Sequence, residues 1–228
     1  MARRTRVTLE VGPKNKRVVA VAPDWPGLER GARTAEDAID RLRSYLPRYA
    51  PVARLGGMDA AFGAIRDFDI AERYPGTGST DFWGISFAFS TIDRQSLSGD
   101  ALERELSLMQ ACWTFFDAVR GRVSAEMQKG SRGGGRDRDH VVRHTLSTEQ
   151  SFAKMIGVLT PDDALLTDRG LKAHRAAYCD AIRSYHAQDK PAGKVAKWPL
   201  RYLIRHTAFH TLDHAWEMED KDLTAKPA

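Results

Sequence analysis

Hydrophobic and polar positions alternate first as strands. VTLEV (7–11) alternates apolar and polar residues, GPKNK supplies a turn, and RVVAVA (17–22) resumes the strand pattern. After PDWPG comes a short LERGAR segment. Thr34 then caps a helix, with Asp37 in the place of a capping-box partner, and Ala38, Ile39, Leu42, Tyr45 and Leu46 recur at helical spacing. Pro47 and Pro51 mark its end. Between 64 and 95 the pattern loosens. FDIAERY reads as one more strand, and PGTGSTDFWGISFAF reads as a packed loop, with a rim or lid over a pocket as its functional alternative.

From Ser98 onward the period becomes helical. Leu102, Leu106, Met109, Trp113, Phe116, Val123 and Met127 recur at steps of three and four, the apolar seam of a packed helix. KGSRGGGRDRD follows as a solvated connection, whose arginines have anion binding as their functional alternative. Further helices are predicted from about Arg138 to Ile156, from about Asp168 to His186, and from about Trp198, with Pro199 in the first turn. Four amphipathic helices joined by loops predict a four-helix bundle. The expected fold class is therefore α+β: a strand-and-helix module over 1–60, an irregular connecting segment over 61–97, and an all-α four-helix bundle over 98–228.

Composition narrows the function classes. The 228 residues are 42% hydrophobic and 29% charged, with a net charge of +5 and a pI near 9.3. The basic residues are scattered and show no stripe with interleaved aromatics, so nucleic-acid binding is not expected. GTGST lacks the GK[ST] ending of a phosphate-binding loop, and no GxGxxG occurs. The basic start lacks the apolar run of a signal peptide, and no stretch is long and apolar enough to span a membrane. Cys112 and Cys179 stand apart inside helical patterns and read as buried small hydrophobes of a cytoplasmic chain.

The chemistry concentrates in RHTAFHTLDHAWEMED (205–220), where His206, His210 and His214 stand four residues apart. At about 100° per residue, His206 and His214 lie within about 40° of His210, in the middle of the face expected to be buried. Arg201, Arg205 and Glu219 gather on the opposite surface. Positions 206 and 214 are about 12 Å apart along the axis, too far to share one ion. Either 206 with 210, or 210 with 214, could grip a metal from one helix face, given a third ligand from another helix. In HVVRHTLSTEQSFAKMI, His144 lies at the border of an apolar face and Glu149 falls inside it, an expensive place for a carboxylate without a partner. His174 is a weaker fourth candidate.

Two resemblances sharpen this reading. WPGLERGARTAEDAI resembles the small ββ(β)α module of HicB-like antitoxins, in which a PG turn leads to a third strand and an EDAI-type helix start. VVRHTLSTEQ and RYLIRHTAFHTLDHAWEMED together resemble the DinB-like (DinB/YfiT-like) superfamily of metalloenzymes, over roughly residues 98 to 221. That family implies a four-helix bundle whose divalent metal is held by three histidines, one within an H-x4-E pattern and two at i and i+4. His144 with Glu149 matches the first pattern, and His210 with His214 matches the second. His206 is then an extra histidine lining the pocket. Where many members continue with an RGQ-type segment, this chain has AWEMEDK.

The resemblance implies a divalent metal ion, zinc or nickel, and a small-molecule substrate. The reaction it implies is transfer to or from a low-molecular-weight thiol, or hydrolysis. Glu149, and Glu217 by its place one turn beyond His214, are the acid/base or ligand-orienting candidates. The rival is a non-enzymatic interaction protein, in which the HicB-like segment provides dimerisation, as a homodimer, or partner binding, and the buried histidines form a structural polar network.

Overall fold

The structure, a computed structural model, describes residues 3–130, 135–188 and 198–224. It is a mixed α/β chain whose elements run β1 (Arg3–Val11), β2 (Val18–Val21), β3 (Glu29–Ala32), α1 (Ala35–Ser44), α2 (Leu46–Leu55), α3 (Asp59–Gly63), β4 (Ile65–Pro75), α4 (Gly78–Trp83), α5 (Gly99–Arg122), α6 (Arg138–Lys154), α7 (Asp168–Ala187) and α8 (Leu200–Asp220). Two compact units emerge: Met1–Cys112 with Arg201–Phe209, and Trp113–Leu200 with His210–Ala228.

The first unit is built on one sheet of order β3-β2-β1-β4. β1 pairs antiparallel with β2, Thr8 opposite Val21 and Val11 opposite Val18, and β2 pairs antiparallel with β3. The turn between β1 and β2 is closed by Asn15 at φ 52, a left-handed conformation that asparagine tolerates better than most residues. β2 is buried along its whole length, so its run of Val18, Val19, Ala20 and Val21 has no polar alternation. Trp25, Tyr49 and Phe62 pack edge-on and tilted against one another, with Trp25 and Phe62 centroids 4.8 Å apart.

Thr34 caps α1 as expected, accepting a hydrogen bond from the Asp37 amide. Pro47 does not close that helix. It sits in the first turn of α2, where a missing N–H costs nothing, and Pro51 is accommodated inside α2. Within 61–97, expected to be irregular apart from a strand at FDIAERY, that stretch lies in β4, an eleven-residue strand parallel to β1. Asp67, Asp69, Glu72 and Arg73 mask its apolar alternation, as suits a strand on the sheet edge.

The second unit takes its helices from the later part of α5, from α6 and α7, and from the later part of α8. Asp137 caps α6 and Thr167 caps α7 through their side-chain oxygens. Trp113 of α5 packs on Tyr178 of α7, and Arg175 of α7 bonds Glu149 of α6 and Asp117 of α5. α5 ends at Arg122, short of the expected Met127. Val123 and Met127 are nevertheless buried, Met127 through a bridge to Asp222. Cys112 and Cys179 are both buried and free.

α8 corrects an expectation about its own faces. Arg201 and Arg205, placed on a solvated surface by the helical layout, are 8% and 2% exposed. α8 is buried nearly all round, so its polar side has protein partners instead of water. Among the described residues, no helix is long and apolar enough to cross a membrane.

Candidate metal centre

The site lies within the second unit and is assembled from two helices. α6 starts at its Asp137 cap and runs without Gly or Pro to Lys154, presenting His144 between buried Val141 and Thr145. α8 presents His210 and His214 one turn apart, flanked by buried Thr211, Leu212, Ala215 and Trp216. The three rings meet. Centroid distances are 5.1 Å between His144 and His210, 4.9 Å between His144 and His214, and 4.5 Å between His210 and His214. Each residue offers one ring nitrogen such that all three nitrogens lie within 4.8 Å of one another. Exposure is graded: His144 is exposed, His210 half-buried and His214 buried, so the cluster is open to solvent on the α6 side.

Phe152, 8% exposed, stands edge-on to the His210 ring at 6.0 Å and packs on Trp198 at 5.2 Å. These rings supply an apolar wall beside the imidazoles.

Glu217 fixes the third imidazole. Its Oε2 lies 2.8 Å from His214 Nδ1, and the same carboxylate accepts from Arg136 at 2.8 Å and Lys221 at 2.6 Å. Burial alone would raise the Glu217 pKa, but hydrogen bonds from His214 and Lys221 and the Arg136 charge hold it well below the usual carboxylate range. An ionised carboxylate only accepts, so His214 Nδ1 is the donor in this bond and Nε2 is the nitrogen that could meet an ion. Burial, together with the charges of His214 and Arg136, lowers the pKa of His144, which favours the neutral imidazole that a metal requires.

Glu149 has a different setting. Its carboxylate accepts from Arg175 Nε at 2.9 Å and Nη2 at 3.3 Å. Arg175 also reaches Asp117 at 2.6 Å. Burial raises the Glu149 pKa against the opposing Arg175 charge. The partner that a carboxylate on an apolar face demands is thus an arginine. His174, the weaker candidate, bonds Thr160 through Nδ1 at 2.8 Å, and burial pushes its pKa down to about 4.

His206 lies in the first unit, 4% exposed, stacked on Tyr202 at 5.0 Å and 13° and beside Phe87 at 5.8 Å. It is not one of the three nitrogens that converge.

Arg136, Lys221 and Arg175 were not singled out from the sequence. Lys221 carried a signal, since it follows Glu217 by four residues on one helix face. Arg136 belongs to the glycine-rich connection, and only the folded chain brings it to Glu217. Residues 131–134 of that connection lie outside the described residues.

Compared with protein-family models, with curated proteins and with solved structures, the chain finds no match.

Proposed function

We propose that His144, His210 and His214 hold one divalent metal ion, zinc or nickel, and that the chain is a metal-dependent enzyme of the DinB-like kind acting on a small molecule. On this reading α5, α6, α7 and α8 form the family's four-helix bundle. The observation that carries it is the convergence of three ring nitrogens from two helices within 4.8 Å. The donor set fits: three neutral imidazoles suit zinc and nickel, and three protein ligands leave positions for an outside ligand. A divalent ion so held lowers the pKa of a bound water or low-molecular-weight thiol toward neutrality, the chemistry of a hydrolase or a thiol S-transferase.

The chain's own residues then divide the work. His144, on the exposed side, borders the entry for substrate. Glu217 orients His214 and, pinned by Arg136 and Lys221, stays ionised, which makes it a positioning residue. Glu149 braces α6 against α7 through Arg175 and is set aside as an acid or base. Phe152 keeps one side of the cluster dry.

The test is metal content of protein purified without a histidine tag, followed by titration of the stripped protein with zinc and nickel. One equivalent taken up, with a rise in Tm that excess chelator reverses, supports the reading. No uptake, with a Tm indifferent to chelator, replaces it with the structural polar network of a non-enzymatic protein.

A further inference from the structure

The first unit contains a cavity of about 710 Å³, bordered by the start of β1, the turn after β2, the first turn of α5 and the start of α8. That volume is in the range of sites for small ligands. Its polar groups are unevenly matched. Glu105 lines it with a side chain only 1% exposed, and its Oε2 accepts no hydrogen bond. Arg201 Nη2 pairs with Glu105 Oε1 at 2.7 Å, while Arg201 Nε is without a hydrogen-bond partner. Leaving such atoms buried and unmatched is costly, and this carboxylate calls for a donor.

The remaining charge in the cavity is positive. Asp24 is committed: it accepts from Arg6 at 2.6 and 3.0 Å and from Arg201 at 3.2 Å. Arg104, half-exposed, gives Nη1 to the Asp24 carbonyl at 2.6 Å and places its guanidinium carbon over the Trp25 ring at 4.7 Å. A guanidinium has five N–H groups, so this bond leaves most of the fork for an anionic oxygen. The same wall carries Ala101 in the first turn of α5, a 24-residue helix whose N-terminal end favours negative charge. One buried carboxylate, matched by Arg201 at a single oxygen, therefore shares a cavity with a donor-rich, anion-favouring wall.

We propose that this cavity binds a small zwitterion, an amino carboxylate of amino-acid to dipeptide size, with its ammonium donating to Glu105 and its carboxylate held by Arg104 and the first turn of α5. Trp25, with the apolar neighbours Ala61 and Ala101, bounds the body of the ligand. Proton linkage adds a signature. Burial, against the pull of Arg201, pushes the Glu105 carboxyl up to about 7. A bound ammonium favours the ionised form, so below pH 7 binding releases a proton.

Isothermal titration of the full chain with glycylglycine and with 4-aminobutyrate tests this, with acetate and ethylamine as one-ended controls. At least one zwitterion should bind saturably, neither control should bind comparably, and buffers of different ionisation heat should reveal proton release at pH 6. Glu105→Gln and Arg104→Gln should each weaken binding at least tenfold. Arg104→Gln is the safer variant, since its half-exposed position leaves the fold intact, and its metal uptake should be unchanged. Overturning results are no saturable binding by either zwitterion, acetate binding as tightly as the zwitterions, or unchanged affinity in a folded Arg104→Gln variant.

Discussion

The two halves of α8 carry similar residue types and put them to opposite uses. In the first unit, Arg205 is 2% exposed and is met on every side: Asp93 at 2.6 and 2.8 Å, Glu29 at 3.1 Å and the Ser86 hydroxyl at 3.3 Å. His206 beside it stacks on Tyr202. In the second unit, His210 and His214 face each other and His144, bringing together three nitrogens of the kind that bind a cation, with one ring fixed from behind by Glu217. A polar group whose partners come from the chain itself is part of the architecture. Acceptors that converge on a common point describe a site for something the chain does not contain. The difference lies in where the partners are, and buried polarity alone does not distinguish the two.

The largest effect should come from breaking the satisfied half. Arg205→Met strands Asp93 and Glu29 in a buried position, and loss of one partner of such a pair costs about 3–5 kcal/mol. Urea denaturation should show that loss. Adding Asp93→Asn and Glu29→Gln should recover part of it, because the stranded charges are what destabilise. An Arg205→Met chain as stable as the parent would mean that the network is not a structural element.

Breaking the other half should leave the fold standing and remove the ligand. His210 is half-buried, so His210→Ala should cost the stripped protein about 1 kcal/mol or less. It should weaken zinc or nickel uptake by about a hundredfold or more, since two imidazoles remain of three. Equal uptake by the variant in a metal titration would place the ion elsewhere. Next in size is Glu217→Gln, which keeps the shape but loses the charge behind His214. Loss of such a partner typically weakens metal affinity about 10–100-fold. His206→Phe should leave metal affinity unchanged, which separates the equally spaced histidines.

Much of this contrast could be read from the chain, and its limits are physical. The helices over 138–154, 168–187 and 200–220 were expected from the helical pattern, with starts near 138, 168 and 198. Spacing left open whether 206 with 210 or 210 with 214 would share a site; the DinB-like resemblance selected His144, His210 and His214, the three that converge. What failed was the assignment of Arg201 and Arg205 to water. A helical layout assumes that the polar face meets solvent. The acids that meet Arg205 instead stand 112 and 176 residues away, a distance no local pattern spans. β4 was read only in part, as FDIAERY, since charges along an edge strand hide the alternation of its first residues. Arg136 sat in a connection read first as solvated, with anion binding as the alternative for its arginines, and nothing local pointed to Glu217.

The smallest effect separates the halves by pH. Burial first, and the Arg205 charge second, push the His206 pKa down to about 3 against the opposing Asp93 charge. In the unfolded chain an imidazole titrates near about 6.5. Over that interval the unfolded state takes up a proton that the folded state refuses. The contribution of His206 is therefore fully present above about pH 6.5 and is lost as pH falls toward 3, by up to about 1.4 kcal/mol per unit. His206→Phe removes this proton, whereas His174, with the same sign and a pKa of about 4, acts alike in both proteins and cancels. Urea unfolding at pH 7 and 5.5 should show the parent losing about 1.4 kcal/mol more than the variant. Parallel losses would mean that His206 accepts a proton within the fold, and its stacking on Tyr202 would then be an exchangeable position instead of a fixed one.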